Sequence, residues 1–346
     1  MNRSKIVTTL PVIALLVGCT TVLAANESTP AKLIKAWPIK PFDGTDRSRT
    51  ESWANLSFVI DTQGDVTDVE VLSHSEVRFD EDDFKRLIKM WQFEPAILNG
   101  EPIDASWLYT VQSKKMFDGV DNGTIKRGFL STGEQIQAAL ADKNFDLVRT
   151  LLNKLDEHTK NNAEQALNHW FKAQYYYFVE DWHQYGHHLQ SAYALSKELP
   201  TEYRIKLHQN TLHWFMYTRE YLSANTAINS FYGLGDVNMD AAIFLKAKKQ
   251  LAKELNANPE LHYSYTLEPN KPKLLGLSRY SVQIKTQEPL TKAQLRCRYG
   301  VLDVPKVSEN RYAITQTEAN VRCGLLIKSE TEQSIEIEQT GQAIRL

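Results

Sequence analysis

The period of the apolar residues changes twice along this chain, and that limits its fold more than any other feature. Residues 50–115 mix short alternating runs with one helical stripe. Residues 130–255 place apolar and aromatic side chains at helical spacing, over runs too long for strands. Residues 260–346 return to period two, with turn residues between the runs. One layer of structure cannot serve all three patterns. The expected class is therefore α+β and multidomain. A hairpin/helix/strand domain is expected at 50–115, an all-α helical-repeat domain at 130–257 and a small all-β, sandwich-like domain at 260–346. An export signal at 1–25 and a linker at 26–49 precede them. A length of 346 residues fits two or three domains, and 42% apolar residues suffice for real cores. The net charge is −2 and no long Lys/Arg run occurs. Nucleic acid and anionic membrane surfaces are thus not expected as principal partners.

Arg3 and Lys5 precede an apolar run from Ile6 to Val17, as in an export signal. Leu16-Val17-Gly18-Cys19 resembles the lipobox of bacterial lipoproteins, which implies lipidation of Cys19 and attachment to a membrane. Thr20, rather than Asp, after that cysteine points to the outer membrane. Cleavage after Val22-Leu23-Ala24, giving a soluble periplasmic protein, is the alternative. Retention as an anchor is a third, although Pro11, Gly18 and Cys19 make a poor span. Pro30, Pro38 and Pro41 give the next segment the composition of a linker.

In the first domain, Leu56, Phe58 and Ile60 alternate with Ser57 and Val59, and Asp61-Thr62-Gln63-Gly64-Asp65 reads as a turn. Val66 to Leu72 alternates again, completing a hairpin. Asp80 can cap a helix whose start carries Glu81, Asp82 and Asp83. Phe84, Leu87, Ile88 and Trp91 form its stripe, and Pro95 is expected to stop it. Asn99-Gly100 turns the chain into a last strand, Ala105 to Gln112. The ordered set is Trp37-Pro38, Leu56 to Asp61, Gly64 to Val71, Phe79-Asp80, Trp91-Gln92-Phe93-Glu94-Pro95-Ala96 and Asn99-Gly100-Glu101-Pro102. It resembles the carboxy-terminal domain of the TonB energy transducers, with Ser73-His74-Ser75 where that family often has Ser-Ser-Gly. The resemblance implies an exposed edge on the strand 105–112 that accepts an extended segment of an envelope protein, such as an outer-membrane receptor. Trp107, Tyr109 and Val111 are the side chains expected at that edge. Only about 25 residues separate Cys19 from the domain, at most about 3.5 Å each, so no rod across the periplasm is expected. The resemblance therefore implies an interaction property rather than energy coupling.

Helices are expected at Gly133–Ala141, Phe145–Leu155, Ala163–Phe178, Trp182–Leu199, Thr201–Arg219, Tyr221–Phe231 and Met239–Leu255. Pairs recurring every 30 to 40 residues or so resemble tetratricopeptide-type repeats; a plain helical bundle is the alternative. Aromatic residues crowd this region: Trp170, Phe171, Tyr175, Tyr176, Tyr177, Phe178, Trp182, Tyr185, Trp214, Phe215, Tyr217 and Tyr221. Core packing between helices explains most of them, and a groove for a peptide or a glycan is the other reading. Tyrosine is the member expected to be exposed.

No enzyme motif survives inspection. His183 and His187 share a helix face near Glu180, but two histidines alone do not make a metal site. Gly233-Leu234-Gly235-Asp236 lacks the glycines of a phosphate loop. Asp118, Asp121 and Asn122 lack the spacing of a calcium loop. No metal and no cofactor is expected. In the last domain, strands are expected at Tyr280–Thr286, Gln294–Arg298, Arg311–Thr315, Arg322–Ser329 and Ser334–Gln339. Cys297 and Cys323 lie in two of them. An oxidising compartment would join them, and buried free thiols are the alternative. Together these features predict a non-enzymatic envelope adaptor. The alternative is a structural envelope protein that contacts peptidoglycan or organises an assembly through its helices.

Overall fold

The computed structural model describes residues 28–37, 51–75, 80–113, 125–233, 241–316 and 322–344. The predicted export signal, Cys19, Pro38 and the loop holding Asp118, Asp121 and Asn122 lie outside the described residues. The architecture is a strand-rich amino-terminal region, a helical middle and a strand-rich carboxy-terminal region.

The amino-terminal region runs β1 (Ser28–Thr29), β2 (Lys32–Lys35), β3 (Ser52–Ile60), β4 (Val66–His74), α1 (Glu81–Ile88), β5 (Gln92–Glu94), β6 (Ala96–Leu98), β7 (Glu101–Ile103) and β8 (Ala105–Ser113). β3 lies between β4 and β8 in an antiparallel sheet. The hairpin turn is fixed locally. One carboxylate oxygen of Asp61 accepts from the amides of Gln63 and Asp65, both at 2.9 Å. Gly64 adopts φ 88°, and a Cβ there would sit 2.0 Å from the Phe93 carbonyl oxygen, so no other residue fits. Leu56, Phe58 and Ile60 pack on Phe84 and Ile88 of α1 and on Trp91 and Phe93.

α1 starts as its sequence dictates, with the Asp80 side chain accepting from the Asp83 amide. It ends earlier than the stripe predicts. The chain leaves the helix after Ile88, and Gln92–Glu94 pairs with β2 instead of extending the helix towards Pro95. Strand pairing wins because it sets Leu33 opposite Phe93 and packs both on the core. Part of the segment read as a linker is thereby structural. β1 pairs with β6, β2 with β5, and Ala31 between them is buried in the core.

The helical middle comprises α2 (Arg127–Ala141), α3 (Phe145–His158), α4 (Asn162–Phe178), α5 (Trp182–Ala194), α6 (Thr201–Tyr217), α7 (Tyr221–Tyr232) and α8 (Ala241–Ala257). The helix expected over Trp182–Leu199 stops at Ala194. A short 3-10 turn, Ser196–Glu198, follows, because Pro200 disfavours helical geometry in the residue before it. The first six helices form hairpins closed by the same turn. Lys143, Glu180 and Arg219 occupy equivalent left-handed positions, φ 55°, 59° and 60°. The next amide in each case reaches back to a carbonyl five residues earlier: Asn144 to Ala139, Asp181 to Tyr176 and Glu220 to Phe215. An aromatic residue then opens the second helix: Phe145, Trp182 or Tyr221. One local solution is thus used three times among the described residues.

The carboxy-terminal region holds β9 (Leu261–Leu267), β10 (Lys273–Gly276), β11 (Arg279–Lys285), β12 (Lys292–Cys297), β13 (Gly300–Asp303), β14 (Lys306–Ser308), β15 (Arg311–Thr315), β16 (Gly324–Lys328) and β17 (Gln333–Ala343). One sheet has the order β10-β16-β12-β13, the other β14-β15-β11-β17-β9. Their inner faces do not close on themselves. The core that holds Val282, Leu295 and Ile337 also takes in Phe215, Tyr221, Ile228, Leu251 and Leu255 from the helices. A disulfide joins Cys297 to Cys323, at the ends of two paired strands.

Two measurements probe this packing. A Cβ on Gly133 of α2 would lie 2.5 Å from Phe171, whose ring is 1% exposed and has nowhere to move. Gly133→Ala should therefore lower stability by about 1–3 kcal/mol in chemical denaturation, outweighing the helix propensity of alanine, worth about 1 kcal/mol. The disulfide closes a separation of 26 residues. Replacing Cys297 and Cys323 with serine should cost about 3 kcal/mol, chiefly through the freed unfolded chain.

Candidate functional site

β8 is an edge strand. It pairs with β3 along its whole length, from Ser113 opposite Ser52 to Ala105 opposite Ile60. Among the described residues no strand pairs with its other side. Alternate main-chain groups of β8 are therefore offered outward. Side chains follow the two-residue period. Trp107, Tyr109 and Val111 stand on the α1 side, and Leu108 on the opposite face. Val111 is buried at 2% exposure and belongs to the core. Trp107 is half-buried, its ring 5.0 Å from that of Phe93. Tyr109 is 39% exposed and lies edge-on to Trp91 at 5.3 Å. Leu108 is 56% exposed. Leu108 and Tyr109 thus leave the middle of the strand partly exposed, while its end near Val111 is closed and Tyr299, from the turn after Cys297, packs against the same core.

The α1-distal face of the same sheet is taken by the carboxy-terminal region. Arg296 of β12 bonds Ser57 and the Asp68 carbonyl, both at 3.1 Å, and pairs with the Asp68 carboxylate at 2.7 Å. Lys292 reaches Asp68 and Glu70 at 2.5 Å, and Lys328 of β16 reaches Glu70 at 3.2 Å. β12 and β13 both touch β8. Burial by itself pushes the Asp68 and Glu70 carboxyls up. The hydrogen bond from Lys292 and the surrounding cations outweigh it and hold both below their ordinary values. A bulge aims one of the acids: pairing slips between Ser57 and Val59, and Asp68 takes φ 43°. This cluster was not anticipated. Its only signals are even spacings, Asp68-x-Glu70 and Lys292-x-x-x-Arg296, which put like charges on one strand face. Only the tertiary fold brings the two sets together.

The amino-terminal region also grips the helices. The Glu51 carboxylate accepts from the Asn162 amide at 2.8 Å, and its carbonyl accepts from the Gln165 side chain at 2.6 Å. Trp53, fully buried, sits in the helical core edge-on to His169. His169 and His188 face each other, Nδ1 to Nδ1 at 2.9 Å, and the Tyr176 ring stacks on His188. Burial, then the neighbouring histidine and Lys172 charges, depress His169 well below the usual range. Burial, then His187 and Lys172, bring His188 to about 3. Both rings are neutral in the folded protein, whereas in the unfolded chain they take up protons below about pH 6.5. Stability should be flat with respect to these groups above pH 6.5. It should fall as pH drops towards 3, by up to about 1.4 kcal/mol per unit for each ring. Denaturation midpoints at neutral and mildly acidic pH check this, and His188→Gln should flatten the slope.

The acidic run at the start of α1 is accounted for by capping and by ion pairs of Glu81 with Lys85 and Asp83 with Arg86. His183 and His187 are both exposed on α5. The three groups among the described residues that approach one another in the manner of metal ligands are Glu260, His262 and Glu338. Glu260 and His262 are exposed on the sheet rim, and no buried donor joins them. Among the described residues no helix is long and apolar enough to cross a membrane.

With this geometry in place, the family comparison is informative. The family model of the Gram-negative bacterial TonB protein C-terminal matches residues 45–112. The match takes in β3 through nearly all of β8, with α1 between them, and neither α2–α8 nor the carboxy-terminal strands. No curated protein matches the chain.

Proposed function

We propose that this protein is a non-enzymatic adaptor of the Gram-negative cell envelope, which binds an extended segment of another envelope protein by strand addition to β8. The observation that carries the reading is the edge of β8, which no strand among the described residues pairs and which is exposed at Leu108 and Tyr109, inside the segment that matches the TonB family. Main-chain hydrogen bonds would supply affinity, and alternate side chains of the added strand would meet Tyr109 and Trp107 on one face and Leu108 on the other. Val111 would support the edge from the core rather than touch the partner.

The rest of the chain would position this edge. Lipidated Cys19 would hold the protein to the outer membrane, and outer-membrane receptors are the partners proposed. The helical hairpins, which we read as tetratricopeptide-like, share one repeated turn and would carry a second partner.

Calorimetric titration of the purified mature protein with peptides from the periplasm-facing plugs of outer-membrane receptors should show saturable binding. Proline placed centrally in the peptide should abolish it by removing a main-chain donor, and Tyr109→Asp should weaken it by roughly tenfold, about 1.4 kcal/mol. Absence of binding at millimolar peptide would overturn the proposal.

A further inference from the structure

The repeated turn of the helical hairpins makes one departure visible. At equivalent positions the last residue of the first helix is Ala141, Phe178 or Tyr217. An alanine satisfies the turn, so aromatic rings there are not demanded by the fold. The aromatic residue that opens the second helix differs too. Tyr221 is 2% exposed, and Phe145 is half-buried against Tyr175. Trp182, in the same place, is left 41% exposed. Around it Tyr177 is 53% exposed, Phe178 44% and Tyr217 72%. The rings form one continuous cluster. Tyr177 lies 5.9 Å from Phe178 and 5.7 Å from Trp182, and Trp182 lies 6.2 Å from Tyr217. Soluble proteins rarely leave such a set in water without a use for it.

The surroundings select the occupant. Residues 173–184 and 213–221 contain no lysine. Their charges are Glu180, Asp181 and Glu220 against Arg219, with His183 and His213 beside them. The turn between β9 and β10 adds Glu268, already paired with Lys271. A phosphate-bearing lipid or lipopolysaccharide surface would require an excess of cations here, and there is none. The cluster lies at hairpin turns whose main-chain amides are already bonded within the turn, so it presents side chains rather than a main-chain ladder to a ligand. What remains attractive is a partner without net charge, with flat apolar faces and a hydroxylated rim. Pyranose rings have that form: their C–H faces stack on aromatic rings, while tyrosine hydroxyls and the indole N–H remain available to sugar oxygens.

We propose that Trp182 and Tyr217, flanked by Tyr177 and Phe178, form a binding platform for the N-acetylated glycan strand of the cell wall. The platform lies on the helices and does not depend on strand addition at β8. It would let the protein hold the wall while β8 engages a protein.

The test uses the full mature chain, with β-1,4-linked N-acetylglucosamine oligomers as soluble probe and purified wall sacculi as insoluble probe. Tryptophan fluorescence should change saturably with the oligomer, and the protein should co-sediment with sacculi. The pair Trp182→Ala and Tyr217→Ala should weaken both by tenfold or more, with an unchanged circular dichroism spectrum. If that variant misfolds, the unmodified protein still decides the matter: the oligomer should protect Trp182 from N-bromosuccinimide oxidation, read by peptide mass spectrometry. Failure of the wild-type chain to bind either probe overturns the proposal. So does full binding by a folded double variant, absence of Trp182 protection, or binding to phosphatidylcholine vesicles in place of glycan.

Discussion

A single guanidinium decides how the regions of this protein meet. The Arg296 side chain is 1% exposed, so its charge has left water and must be answered where it lies. The Asp68 carboxylate, the Asp68 carbonyl and the Ser57 hydroxyl answer it, and all three belong to the amino-terminal sheet. If those acceptors were removed while the packing stayed, Arg296 would keep its burial with only Gln294 of its own strand as a partner. Without Arg296, Lys292 and Lys328, Glu70 would lie buried at 5% exposure with no cation beside it. Each region thus completes the electrostatics of the other. The carboxy-terminal strands therefore form one face of the sheet whose edge is β8.

Much of this was legible in the amino-acid order, for a physical reason. The hairpin, the cap of α1, the turn at Gly64 and the strand 105–113 are set by residues close in sequence. The helices were legible because their stripes are long. What escaped was set by distant partners. Whether Gln92–Glu94 prolongs a helix or joins a strand depends on residues 32–35, whose proline-containing context reads as linker. β9, β10, β13 and β14 are short or follow a helix closely, and their pairing comes only from the sheets they join.

The edge itself was legible only through the family pattern, because exposure of a strand's side is a property of sheet order. Its chemistry was read unevenly. Of the side chains expected at the edge, Tyr109 is partly exposed and Trp107 half-buried, whereas Val111 is in the core. Leu108, the most exposed apolar side chain of β8, was passed over because alternation places it opposite the tyrosine. The aromatic-rich helices were read as mostly core, and Trp170, Phe171 and Phe215 are buried. Nothing in sequence separates those from Trp182, since both kinds recur at helical spacing.

The contacts among the three regions form a closed circuit. The amino-terminal sheet holds α4 through Glu51 and Trp53. The helices run on to a core shared with the last strands, and those strands return to the first sheet through Arg296. A stack of helical hairpins with free ends can gain or lose a unit and change only its length. Here an extra hairpin between α4 and α8 would carry β12 away from Asp68 and strand a buried charge. Ring closure therefore acts as a ruler, fixing the number of hairpins and with it the separation between the β8 edge and every surface the helices present.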